Sequence, residues 1–118
     1  AHTLAFAYQV DATAIGTGTW TSASALDFTS PTTGTTAGAL DGNAAANRVS
    51  LSATIAVSVP AGQEIWLRWE DVDNTGGDHG LSIDDLSITP QGTSADSAPT
   101  VSSTVSSSVS TITWATSE

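Results

Sequence analysis

The chain predicts an all-β fold, an antiparallel β-sandwich of jelly-roll-like design. Three observations predict it. Apolar and hydroxyl residues alternate with period two along much of the sequence. Turn signals separate the alternating runs. No stretch carries a convincing long helical pattern. The 118 residues suit one domain and suffice to bury a real core.

Taken in order, Leu4, Phe6, Tyr8 and Val10 share one face of an early strand. Asp11 to Thr19 is rich in Gly and Thr and reads as a loop. Ala37–Ala46 has the length of a helical turn, but its Gly and Asn favour a loop. Within it, Asp41-Gly42-Asn43 makes a turn, and would also be able to bring oxygen ligands to a neighbouring acidic loop. Val49, Leu51, Ala53, Ile55, Val57 and Val59 alternate with Ser50, Ser52, Thr54 and Ser58. This is the cleanest strand signal in the chain. Pro60-Ala61-Gly62-Gln63 is a turn. Ile65, Leu67 and Trp69 then face one way, and Trp66, Arg68 and Glu70 the other. Leu81 and Ile83 share one parity, while Leu86 and Ile88 share the opposite one. That switch at Asp84-Asp85 predicts a bulge or a change of packing partner.

These elements give a module over residues 1–90 and a Gly/Ser/Pro-punctuated linker over 91–99. An extension follows over 100–118. In it Val101, Val105 and Val109 recur four residues apart, with Ser103 and Ser107 between them; Ile112 and Trp114 take the other parity. A Ser/Thr tail is ordinarily disordered. Here the valine pattern predicts a strand added to a sheet of this chain or of a neighbour.

Composition narrows the function. Ser and Thr supply about a third of the chain, charged residues only 12%, and Lys is absent. Such a hydroxyl-rich surface is typical of secreted or cell-surface β proteins, so the expected location is extracellular or cell-surface. A net charge of -10 argues against nucleic acid and against an anionic membrane as partners. The absence of Cys excludes disulfides and thiolate metal sites. No apolar run approaches membrane-spanning length, so no membrane insertion is expected. The chain starts at Ala1 and lacks Met, as a processed mature chain or an excised fragment would.

Several motifs carry a family resemblance. Thr3-Leu4-Ala5-Phe6-Ala7-Tyr8, Gly18-Thr19-Trp20-Thr21, Ala25 to Pro31, Leu40 to Arg48 and Trp66-Leu67-Arg68-Trp69 occur in that order, before Asp78-His79-Gly80-Leu81-Ser82-Ile83-Asp84-Asp85. Together they resemble a β-sandwich module of secreted bacterial proteins, of the kind found beside extracellular endonuclease/exonuclease/phosphatase-type domains. The closing Gly-x-x-Ile-Asp-Asp element is also similar to the last strands of MAM-like and laminin-G-like jelly rolls. The resemblance covers residues 3–89 and includes no part of the nuclease domain. It implies that an early strand of the module would precede Ala1. Ser97 to Thr104 resembles the start of a bacterial Ig-like domain.

Seven of the 12 acidic residues lie between Glu64 and Asp85. Carboxylates packed this densely repel one another unless a cation or a cationic side chain compensates. Asp71, Asp73, Asn74 and Asp78 would supply oxygen ligands to Ca2+ from one turn. This is not an EF-hand, because Ser82 stands where the bidentate Glu would be. The competing reading is a solvated acidic turn. Of Asp84 and Asp85, one is expected to be buried near Arg68 or to cap backbone amides. Arg48 and Arg68, the only two Lys/Arg cations, are expected to serve as structural ion-pair partners. Trp69 shares the face of Ile65 and Leu67 and belongs to the core, leaving Trp20 and Trp66 as platforms on which a sugar ring would stack.

No Ser-His-Asp set stands out around the loop His79, and Glu70 with Asp85 is a weak carboxylate pair for glycoside hydrolysis. The expectation is therefore a non-catalytic structural or adhesive subunit, stabilised by calcium and self-associating by strand exchange into filaments. The alternative is a carbohydrate-binding accessory module of a larger secreted enzyme, with glycans or a cell-surface polymer as partner.

Overall fold

A computed structural model describes residues 1–34, 36, 38–71, 80–92, 100–106 and 109–115; for 100–106 and 109–115 it gives backbone and register. These residues form an open antiparallel sheet, in keeping with an all-β fold. Strand β1 (Thr3–Val10) pairs with β4 (Glu64–Asp71), β4 with β6 (Val109–Ala115), and β6 with β5 (Thr100–Ser106). On its other side β1 meets two short strands, β2 (Thr21–Ser22) and β3 (Phe28–Thr29).

The alternation read from the sequence sets the inner face. Register places Phe6 opposite Trp69 and Tyr8 opposite Leu67, so the apolar sets of β1 and β4 fall on one side. Leu4, Phe6, Ile65, Leu67 and Trp69 are buried there as the core. The rings of Phe6 and Trp69 lie 4.8 Å apart in a tilted arrangement. Trp69 has 5% of its surface exposed, and its Nε1 donates to the carbonyl of Leu26 at 2.9 Å. A buried indole N–H left without an acceptor would be costly.

The turn at Pro60–Gln63 forms as expected. Gln63 N–H donates to the Pro60 carbonyl at 3.0 Å, and Gly62 takes φ +79°, a value that favours glycine at this turn position. Residues 38–44 are loop and turn. The carbonyl of Asp41 accepts from Ala44 N–H, and its Oδ1 accepts from Asn43 N–H at 2.9 Å. A single 3-10 turn follows at Ala45–Asn47.

One finding differs from the expectations. Residues 49–59 belong to no ladder, despite having the cleanest alternation. Ile55, Val57 and Val59 pack against the core with every second residue exposed between them. Alternation records which side is buried, whereas a ladder also needs a neighbouring backbone. None of the described residues supplies one. Residues 80–90 behave alike. Leu81, Ile83 and Ile88 pack inward, and the parity switch between them is made by Asp85 at φ 54°. That left-handed residue turns the chain without a paired bulge.

The tail takes one of the two placements expected of it. Residues 100–106 and 109–115 form a hairpin that joins this chain's own sheet, in unbroken register against β4. Ile112 stands opposite Leu67 and Trp114 opposite Ile65. The expected linker falls largely on 93–99, outside the described residues.

Candidate functional site

The core has a floor but an open roof. Over Phe6, Ile65, Leu67 and Trp69 lies a cleft of about 1730 Å³. Ile55, Val57 and Val59 line it from one segment, and Leu81, Ile83 and Ile88 from another. The large apolar side chains found exposed among the described residues, Leu40, Val49, Leu51 and Leu86, all line this same cleft. Apolar exposure scattered singly over a surface has no meaning, but gathered at one opening it marks an interaction site. The flanking segments also carry backbone donors and acceptors that no backbone group among the described residues satisfies.

One ion pair joins the two segments. Arg48, at the head of 49–59, donates from Nη2 to Asp85 Oδ2 at 2.8 Å. Asp84 Oδ1 accepts from the Asp85 backbone N–H at 2.8 Å. Of the two roles expected for Asp84 and Asp85, pairing with Arg68 is thus corrected, whereas capping of a backbone amide is met by Asp84. The partner is Arg48, and both aspartates are exposed rather than buried. Leu81, Ile83 and Ile88 pack on the inner face of the sheet, whereas Arg68 alternates with inward-facing Leu67 and Trp69 and projects from the other side.

That outer face has its own cluster. Arg68 Nη1 donates to the Ile15 carbonyl at 2.9 Å, and Nη2 meets Glu70 Oε2 at 3.0 Å. Its guanidinium lies 4.3 Å over the ring of Trp20. Trp20 Nε1 donates in turn to the Thr17 carbonyl. Loop 11–19 is thereby folded down onto the sheet, and Gly18 is part of the reason. At φ +90° it lies so close to the Gln9 side-chain amide that a Cβ would come within 2.6 Å of Oε1. Trp66 is half-buried, with Nε1 donating to Glu64 Oε2 at 3.1 Å. The two expected sugar platforms are therefore engaged within the protein, Trp20 through one ring face and Trp66 through its N–H.

Of the expected calcium ligands, Asp71 ends β4. Its Oδ1 is buried and has no hydrogen-bond partner among the described residues. Asp73, Asn74 and Asp78 lie outside the described residues, as does His79. Among the described residues no three acidic or histidine side chains gather as a metal site. The carboxylates of Glu70 and Asp85 each hold a different arginine.

Sequence reasoning missed the roles of Asp27 and of the Arg48–Asp85 pair, neither of which leaves a local signal. An apolar groove was implied by a sandwich lacking an early strand, though not which residues would line it. No known family, curated protein or solved structure matches this chain. No helix among the described residues is long and apolar enough to cross a membrane.

Proposed function

We propose that this chain is a non-catalytic, extracellular structural or adhesive subunit, a jelly-roll-like β-sandwich whose open layer is completed by a strand from a neighbouring copy. One observation carries the reading. Leu40, Val49, Leu51 and Leu86 are exposed around a cleft between two segments that lack ladder partners among the described residues. A strand laid between 49–59 and 80–90 would satisfy both backbones and cover the core. The donor is the 100–115 arm, which is rich in Val, Ser and Thr and free of charge, and which would leave β4 of its own chain to enter the neighbour's cleft. Exchange of an identical element between copies is a low-cost route to assembly. The resemblance to secreted bacterial β-sandwich modules and the hydroxyl-rich composition support an extracellular setting.

Calcium held by Asp71, Asp73, Asn74 and Asp78 would stabilise the acidic loop. Its support is the orphaned Asp71 Oδ1 together with the local charge density. The sugar-binding alternative gains nothing from Trp20 or Trp66, given their internal partners.

Negative-stain microscopy of the purified chain tests the reading. Filaments or ordered oligomers are expected, and both deletion of residues 97–118 and Leu51→Glu should abolish them. Leu51 is 39% exposed, so a charge there blocks the cleft without entering the core. Monodisperse single particles at every concentration, or assembly indifferent to both changes, would overturn it.

A further inference from the structure

We propose that the outer edge of β5 is a self-recognition surface, through which two copies of this chain pair antiparallel about a two-fold axis at Ser103. The inference goes beyond strand exchange and does not involve the cleft.

Strand β5 ends the sheet. It is paired with β6 on one side and, among the described residues, with nothing on the other. Such an edge offers its outward N–H and C=O groups to any strand that can approach. Natural edges are usually guarded by Lys, by Pro or by a bulge. Thr100–Ser106 contains no charged residue and no Pro, and all seven of its residues pair in unbroken register with β6.

The order of its residues identifies the partner. Thr100-Val101-Ser102-Ser103-Thr104-Val105-Ser106 reads nearly alike in both directions. Antiparallel pairing centred on Ser103 sets Val101 opposite Val105, Ser102 opposite Thr104 and Thr100 opposite Ser106. Valine meets valine and hydroxyl meets hydroxyl, the cross-strand matches that stabilise sheets. A shift of one or two residues either way sets valine against Ser or Thr, or leaves it unmatched. In an isologous interface each match occurs twice.

Charge favours the same surface. Two copies at net charge -10 repel, yet no Asp, Glu, Lys or Arg lies between Ser97 and Ser117. Contact through this stretch keeps the carboxylates of the two bodies away from the line of closest approach. A single seven-residue ladder makes a small interface, so the pair forms reversibly and at high protein concentration.

Sedimentation of the full chain as Ser103→Lys and as Ser103→Glu tests this. Residue 103 opposes its own copy, so each variant alone places like charges together and should dimerise about tenfold more weakly than the parent. An equimolar mixture sets Lys against Glu and should recover the parental affinity. Unchanged far-UV circular dichroism establishes that each variant is folded. As a second measurement, Ser103→Cys gives the chain its only thiol and should oxidise to a disulfide dimer far faster than Ser50→Cys. The proposal is overturned if the parent stays monomeric, if the mixture gains nothing over its components, or if the two thiols cross-link at equal rates. Strand exchange fails or survives separately. An arm donated to the cleft would place residue 103 beside 49–59 or 80–90, where mixing charges rescues nothing, and Leu51→Glu leaves the β5 pair intact.

Discussion

The carboxylate of Asp27 accepts a hydrogen bond from the backbone N–H of Phe6 at 2.7 Å. Along this side of β1 the ladder is interrupted, because the 3-10 turn Ser24–Leu26 separates β2 from β3. Ala23 N–H reaches the Phe6 carbonyl at 3.2 Å, and Asp27 supplies the acceptor for the Phe6 N–H. Phe6 is 1% exposed, so water cannot readily replace that acceptor. Asp27→Ala should cost about 1–3 kcal/mol, and Asp27→Asn clearly less, since the amide oxygen still accepts. Urea unfolding read at constant m-value checks the difference.

Trp69 combines volume with one committed N–H. Trp69→Phe keeps most of the ring but leaves the Leu26 carbonyl without its donor, and should cost about 1–3 kcal/mol. Trp69→Ala should cost about 3–5 kcal/mol, or less if the cleft above lets the site collapse. Thermal and urea unfolding of both variants would show the order.

Arg68 and Trp20 should be coupled. The guanidinium is 4.3 Å from the ring, and the Arg68 side chain is only 16% exposed. A double-mutant cycle with Arg68→Ala and Trp20→Ala should give about 0.5–2 kcal/mol of interaction. A value indistinguishable from zero would mean that loop 11–19 is held by its backbone bonds alone.

The Arg48–Asp85 pair should contribute little by itself. Both side chains are well exposed, at 44% and 74%. Arg48→Ala is expected to change stability by less than about 1 kcal/mol, and the difference should shrink in high salt.

Calcium should raise the melting midpoint if the acidic loop binds it. At a hundredfold excess over its dissociation constant a ligand stabilises by about 2.7 kcal/mol. Asp71→Asn should remove most of the shift. A midpoint identical in chelator and in millimolar calcium would sink the assignment.

Much of the framework was legible because period two reports burial directly. Leu4 and Phe6, and then Ile65, Leu67 and Trp69, could be assigned to one buried face from spacing alone. The Pro60–Gln63 turn was legible from Gly62, which suits a φ that other residues avoid. What stayed hidden was pairing over distance. Asp27 meets Phe6 across 21 positions, and Arg48 meets Asp85 across 37. No local pattern distinguishes those aspartates from their neighbours. Residues 49–59 show the converse limit, since their alternation reported the buried side correctly and a ladder partner not at all.

The two margins of the sheet are unequal. Among the described residues, two-residue strands broken by a 3-10 turn are all that lies beyond β1, which gives a second copy no ladder to extend on that side. The far margin is straight, and if it joins its like the bond is spent in one event. Lateral addition therefore has a valence of one and stops at pairs. Head-to-tail donation into the cleft has no such stop, because each copy offers one donor and one acceptor. Both contacts draw on residues 100–115, so a copy that gives its arm away gives up its β5 edge as well. The two are therefore rival outcomes of one hairpin: kept at home it closes a pair, given away it extends a string.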